Sequence, residues 1–561
     1  MRLLFLILLL MNFAGCQSSS TSPTYGEVFF SDSEWISDFN KQHSLLKLSN
    51  SLDSNWVFMG RDSVQGIQQD VPIWKNKGES VCLPHRLSFP NQSYWYQWQG
   101  ELEKGILYVD ADDGAQVWRN GSRISKSEPG DYFVIPESGR AQLTIRVINN
   151  AMAGGLRKVH FVDQAAFEKW RDIREEAWKI LLSERKAALI QDRELKSQLK
   201  EMDAQTRDEI LAVYPILFTE PVQILGENGQ VFLRWVSEQD GKAWIQFDNG
   251  KRVEVSSENN VFTWNLDSEY SGSFQLYQEK AYLGEFQILE RKRKEKVSLA
   301  IWGDPQGGWD TFRKIASKIG EHQPDLSIGL GDLVNNGSEY WVYPRFLQTV
   351  VAMNSPQLFV PGNHDYDGYY EDMRASAFEK YLLSENQTTY GFHRIGQVGI
   401  ITLDPNTFFP VGLPDDSAQK LWLDSILNSR HWIESSWKII AVHQPPFSQG
   451  WPGYHGEESL RKLLEPYFHS GLIDIVLSGH THDYERLTGV YSGHPVHFLI
   501  FGGAGGSLEP IGEKSSYPEM DRLIKTHHFG IADFDSTKVN LRVYDTSGQL
   551  IDQISFQNPK Q

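Results

Sequence analysis

The spacing of apolar positions changes three times along this chain. From about residue 50 to 165, apolar and polar residues alternate, as in Ser93-Tyr94-Trp95-Tyr96-Gln97-Trp98 and Leu143-Thr144-Ile145-Arg146-Val147. A period of two predicts half-buried strands. Ala115-Gln116-Val117-Trp118 leads into Asn120-Gly121, a hairpin signal because both residues tolerate the positive φ of a tight turn. Residues 164–213 contain neither Gly nor Pro, and Phe167, Trp170, Ile173, Ala177, Ile180 and Leu181 recur at helical spacing. Leu195, Leu199 and Met202 continue that stripe past breaks at Glu184 and Gln191. One long helix or a helical hairpin is predicted, acting as a connector. Residues 213–292 alternate again, with Val231-Phe232-Leu233-Arg234-Trp235-Val236, Ala243-Trp244-Ile245-Gln246-Phe247 and a turn at Asp248-Asn249-Gly250. After the basic run Arg291-Lys292-Arg293-Lys294, read as a solvated linker, short apolar runs alternate with amphipathic ones. Strands are predicted at 297–302, 326–330, 358–361, 398–403, 439–442, 473–477 and 498–501, and helices at 311–321, 418–428 and 458–469. That alternation implies an α/β core with at least one largely buried sheet.

The chain has 561 residues, more than one ordinary domain of ~100–200 residues. The pattern divides it into a leader (1–15), a tether (16–48), a β module (49–165), a helical connector (166–212), a small β-sandwich (213–292) and an α/β domain (293–561). A formal net charge of −18 argues against a duplex nucleic-acid partner, which is held through Lys and Arg. It leaves room for a small phosphorylated substrate, because bound cations can dominate a site locally. The leader opens Met1-Arg2, continues with an apolar run too short to span a bilayer, and ends Phe13-Ala14-Gly15-Cys16, the pattern of a signal peptide. Ala14-Gly15 before Cys16 resembles the lipobox of bacterial lipoproteins. That resemblance implies export, with the mature chain lipid-anchored to a bacterial membrane through Cys16. Cys82, the other cysteine, lies between Val81 and Leu83 and is expected to be a buried, inert thiol.

The α/β half also carries the candidate chemistry. Gly303-Asp304-Pro305-Gln306, Gly331-Asp332-Leu333-Val334-Asn335, Pro361-Gly362-Asn363-His364-Asp365, Val442-His443-Gln444-Pro445 and Gly479-His480-Thr481-His482 each follow a predicted strand. Open α/β sheets form sites past the C-terminal ends of their strands, so the five stretches are expected to converge on one sheet edge. A mixture of carboxylate and imidazole suits first-row metals such as Mn, Fe, Zn or Co. Two divalent ions ~3.5–4 Å apart can clamp both reacting oxygens of a phosphoryl displacement.

In order and spacing, these motifs resemble the calcineurin-like metallophosphoesterases. The continuation Gly479-His480-Thr481-His482-Asp483-Tyr484-Glu485-Arg486 is most similar to the purple acid phosphatase branch. The resemblance implies a two-metal hydrolase of phosphate esters, using an activated water or hydroxide. Asp332 would bridge the metals, Asp304 and His482 would hold the first, and Asn363, His443 and His480 would hold the second. His364 would face the substrate phosphoryl group, with His455 as a second phosphate-facing candidate. Gln306 and Asn335 stand where family members carry a histidine and a colour-giving tyrosine. They become neutral helpers or weak ligands, and the protein is expected not to be purple. Val81-Cys82-Leu83-Pro84-His85, Trp95-Tyr96 and the hairpin from Asp112 to Gly121 resemble galactose-binding-like jelly rolls, which implies packing against a neighbour or glycan binding. Residues 213–292 look like a small immunoglobulin or fibronectin type III sandwich. Two other functions fit these resemblances: a glycan-binding surface lipoprotein with an inactive phosphoesterase domain, and an exported nucleotide phosphodiesterase.

Overall fold

The computed structural model describes residues 35–191 and 215–559, apart from 65, 67, 112, 125, 128–131, 153, 268–269, 280, 290–295, 338–341, 367–373, 385–386, 510 and 514–517. The leader, Cys16, the connector beyond 191 with Leu195, Leu199 and Met202, and the basic run 291–294 lie outside the described residues. Among the described residues, no helix is long and apolar enough to cross a membrane.

The alternating first half folds as two antiparallel sheets. Strands Gln92–Leu102 and Gly139–Asn149 pair along their whole length, and period-two side chains such as Trp56, Tyr96, Leu143 and Ile145 fill the space between the sheets. The hairpin at Asn120-Gly121 forms with φ of 52° and 81°, the conformation that this dipeptide allows. Cys82 differs from expectation: its side chain is exposed. Val81 and Leu83 both pack toward the core, and in an extended chain the residue between two inward ones points outward.

Within the span read as a tether, Trp35–Gln42 forms a helix. It packs on the long helix Gln164–Gln191 through Trp178, whose ring stacks 5.6 Å from Trp35 and lies 5.0 Å from Phe39. Trp170 Nε1–H donates to the His43 carbonyl (2.8 Å). The anchoring face of the long helix therefore centres on Phe167, Trp170 and Trp178. Ile173 and Ile180, part of the predicted stripe, are half exposed.

Residues 217–288 form seven strands in two layers, and one layer continues into the α/β half. Strand Leu217–Leu225 pairs in parallel with Gln357–Val360 at Ile224 and Gln357, so a thirteen-stranded ladder crosses the predicted boundary near 292. Buried Arg234 reinforces the junction by donating to the carbonyls of Lys380 and Leu383, each at 2.6 Å.

The α/β half contains two packed sheets. Strands Gln357–Val360, Leu326–Leu330 and Val297–Trp302 are parallel, and His528–Phe534 extends them antiparallel. The second sheet holds Val398–Leu403, Trp437–Val442, Ile475–Ser478 and His494–Phe501 in parallel order. Leu299, Ile301, Ile328 and Leu330 meet Ile400, Ile439, Ala441 and Leu477 between the sheets. The alternate residues Ala300 and Trp302 pack under helix Trp309–His322, and Ile440 and Val442 pack under Ala418–Leu427 and Glu458–His469. Each central strand is apolar on both faces, which is why it reads as a continuous run.

His393 closes the seam between the small sandwich and the second sheet. Its Nδ1 lies 3.0 Å from the Gly226 carbonyl and its Nε2 3.3 Å from Thr402 Oγ1. Burial pushes its pKa down to about 4, against the raising effect of that carbonyl. The unfolded chain therefore takes up the proton first, and stability present above the ordinary value of 6.5 is lost as pH falls toward 4. The expected loss is about 2 kcal/mol by pH 5. Urea unfolding at neutral pH and at pH 5 checks this, with His393→Gln expected to remove that share of the pH dependence.

Candidate metal centre

Three of the strands that reach the site end in an abrupt turn. Asp304, Asp332 and His480 adopt positive φ of 57°, 48° and 72°, a conformation that is uncommon outside glycine and tends to persist at functional positions. Glycines beside them provide the room. At Gly331 φ is +88°, and an added Cβ would sit 2.5 Å from His443 Nδ1. At Gly362 an added Cβ would sit 2.3 Å from Asp332 Oδ1. Glycine in these motifs is thus a packing requirement of the histidine and the carboxylate next to it.

The side chains converge from two sheets, not from one sheet edge. Asp304, Asp332, Asn363 and His364 follow strands of the first sheet, and His443, His480 and His482 follow strands of the second. Asp332, His443 and His480 each offer one ligand atom, all within 4.8 Å of one another. His443 Nε2 lies 3.2 Å from Asp332 Oδ1, and the His443 and His480 rings stand nearly perpendicular with centroids 5.2 Å apart. Asp304 accepts from the His480 backbone N–H at 3.0 Å through both oxygens, and His482 Nε2 stands 3.6 Å from Asp304 Oδ1. His364 joins through its backbone N–H, which donates to Asp332 Oδ1 (2.9 Å), while its Nε2 lies 3.9 Å from Asp332 Oδ2.

Backbone carbonyls select the imidazole tautomers. Nδ1 of His443, His482 and His364 lies at 2.8, 2.6 and 2.8 Å from the carbonyls of Leu330, Ser507 and Asn335. A carbonyl only accepts, so each Nδ1 carries hydrogen and each Nε2 is turned toward the carboxylates. The Nε2 atoms of His443 and His480 are buried without a hydrogen-bond partner. Buried lone pairs beside two buried carboxylates form a donor set that fits a divalent first-row metal.

The electrostatics of the cluster agree. Burial alone would raise Asp332, but the charges of His443 and His364 overcome it and hold this carboxyl far below the usual range. Burial would lower His443, yet Asp332 and Asp304 push it up to about 9. Asp304 is raised by burial and by the neighbouring negative charge of Asp332. His480 falls to about 3 through burial and the adjacent His443. Opposed buried charges of this kind are ones that a bound cation would balance.

Asn363 sits beside this group, 3 % exposed, with Gln444 Nε2 donating to its Oδ1 at 3.3 Å. Gln306 Nε2 donates to Asp332 Oδ2 at 3.2 Å, a supporting contact to the carboxylate. Asn335 meets the site through its backbone carbonyl on His364. His455 is not drawn into the cluster: its side chain is 55 % exposed and its Nε2 lies 4.0 Å from Glu513. Its neighbour Tyr454 comes closer, with its ring 5.4 Å from that of His480.

Four supporting residues escape a motif reading. Asp365 ties the loop together, accepting from the backbone N–H of Gly362 (2.8 Å) and Leu333 (3.1 Å) and from Tyr343 Oη (3.0 Å). Gln444 braces Asn363, Glu457 accepts from Tyr454 Oη (2.9 Å), and Asp113 reaches Asn363 from the N-terminal module. Asp365 and Gln444 were visible as motif neighbours; Asp113 had no such signal, because its partner lies 250 residues away.

Comparison with known proteins agrees with this geometry. The Calcineurin-like phosphoesterase family profile matches residues 297–484. Purple acid phosphatase 21 of Arabidopsis thaliana is 24% identical over 301 residues, covering 49% of this chain and 67% of that protein. Fe(3+)-Zn(2+) purple acid phosphatase 12 of Arabidopsis thaliana is 25% identical over 193 residues, covering 32% and 39%. The matched stretches thus span from well under half to about two thirds of these relatives. Among solved structures, purple acid phosphatase PPD1 from yellow lupin (Lupinus luteus) seeds superposes with a TM-score of 0.50 at 12% identity, covering 83% of this chain and 93% of that one. Residues 297–484 thus carry the pattern of the calcineurin-like phosphoesterases, and the chain is similar in sequence to purple acid phosphatases over about half of its length.

Proposed function

We propose that the protein hydrolyses the phosphate ester of a small substrate at a centre of two divalent metal ions. The observation that carries this reading is the convergence of Asp332, His443 and His480, with two buried Nε2 atoms lacking hydrogen-bond partners. Asp304, His482 and Asp332 would hold one ion, and Asp332, Asn363, His443 and His480 the other. When bound, such a pair supplies Lewis acidity and lowers the pKa of water. Named relatives support the reaction class, and the Fe(3+)-Zn(2+) designation of one supports a first-row pair. Neither the glycan-binding alternative nor the nucleotide diesterase is favoured by a feature of the site. Export and lipid attachment at Cys16 belong to the proposal on the strength of the leader pattern alone.

His364 has the geometry of a proton donor. Its Nδ1–H is committed to the Asn335 carbonyl, so Nε2 is the atom that can gain or give a proton. The side chain is 29 % exposed while Asp332 is buried, which leaves the imidazole within reach of a bound phosphoryl group. Gln306 and the His364 backbone N–H occupy one oxygen each of Asp332, fixing the plane of that carboxylate.

In Asp332→Ala, both metal occupancy and turnover of a generic phosphomonoester should disappear, read by metal analysis and a Mn-supplemented assay. Full activity in that variant would end the assignment. His364→Ala should retain its metals and lose kcat by about 10²–10⁴-fold. For the leader, Cys16→Ser should move the protein from the membrane to the soluble fraction.

A further inference from the structure

The N-terminal sandwich reaches the metal centre at two points. Asp113 lies between strands Gly105–Ala111 and Ala115–Arg119 and is 6 % exposed. One carboxylate oxygen accepts from the Asn150 backbone N–H within its own module (2.6 Å). The other accepts from Asn363 Nδ2 (3.4 Å). Asn91 of the same module donates to Glu457 Oε2 (2.8 Å). Glu457 holds the hydroxyl of Tyr454, whose ring packs edge-on against His480. Two of the four residues assigned to one metal position, Asn363 and His480, are thus braced from a module more than 200 residues away in sequence.

The contact with Asn363 carries chemical information. An ionised carboxylate only accepts hydrogen bonds, so Asn363 can present only its NH2 group to Asp113. Its oxygen is then turned away, to the side where Gln444 Nε2 donates to it. A flipped amide would set its oxygen against the carboxylate. We propose that Asp113 is a positioning residue of the metal centre, selecting the amide orientation in which Asn363 offers its oxygen, so that the N-terminal sandwich completes the site in cis. This rests on the two-metal reading above. Outer hydrogen-bond partners of ligands typically change metal affinity by about 10–100-fold.

The test is a double-mutant cycle on the full-length protein, with Mn2+ as the probe. Metal content and Mn2+ affinity are measured by chelator competition for the wild type, Asp113→Asn, Asn363→Ala and the double variant, with circular dichroism reporting the fold. The wild type should bind two ions. Asp113→Asn should weaken one of them by about 10–100-fold and leave the other unchanged. In the Asn363→Ala background the same substitution should have no further effect, because its route to the metal is gone. Equal weakening in both backgrounds, or no weakening in either, overturns the role of Asp113. A wild type that binds fewer than two ions overturns the two-metal reading instead. Asp113→Ala, taken through the same cycle, reads the same coupling should Asp113→Asn fail to accumulate as folded protein. The Co2+ absorption spectrum gives a second readout, expected to change in Asp113→Asn and to be insensitive to Asp113 once Asn363 is replaced.

Discussion

Two buried carboxylates stand next to each other in this protein, and the architecture around them answers that fact. Asp304 and Asp332 are almost wholly buried, and like charges in a low-dielectric interior repel strongly. Buried imidazoles, backbone N–H groups and a glutamine amide surround them. A shared proton or a cation can balance the cluster; an apolar neighbour could not. The features that make the site look expensive to fold are the same ones that suit it to a metal.

The surrounding structure spends its rigidity on orientation. Three histidines have Nδ1 tied to backbone carbonyls, which directs their Nε2 atoms inward. Glycines at the strand ends let ring and carboxylate approach at distances that any Cβ would block. Asp365 locks the loop that carries Asn363 and His364. The double-sheet core beneath is apolar on every central strand, so strand ends are held in place by packing on both faces. A ladder that runs unbroken from the small sandwich into the first catalytic sheet adds a second constraint.

The N-terminal half changes meaning in this setting. Asp113, within the hairpin segment that resembles a sugar-binding module, instead accepts a hydrogen bond from Asn363 of the α/β half. Asp113 and Asn91 look unremarkable in a strand-rich sequence, since Asp and Asn are common in turns. Their role depends on what faces them, and that is a property of how the modules dock.

The sequence alone determined the α/β alternation, the strands ending at Trp302, Leu330, Leu403 and Val442, and the ligand-type residues just past most of them. This was possible because doubly buried strands leave continuous apolar runs, and metal ligands of fixed type follow them at short spacing. Weaker local signals misled or said too little. Ile173 and Ile180 kept helical period but stand half exposed, and Cys82 sat between two inward residues that turned it outward. Only the tertiary structure decided that the site lies between two sheets, that His455 stands apart while Tyr454 packs on His480, and that Asp113 reaches Asn363. Local pattern records the neighbours a residue has along one element, whereas contacts across hundreds of residues arise from the docking of whole surfaces and leave no periodic trace.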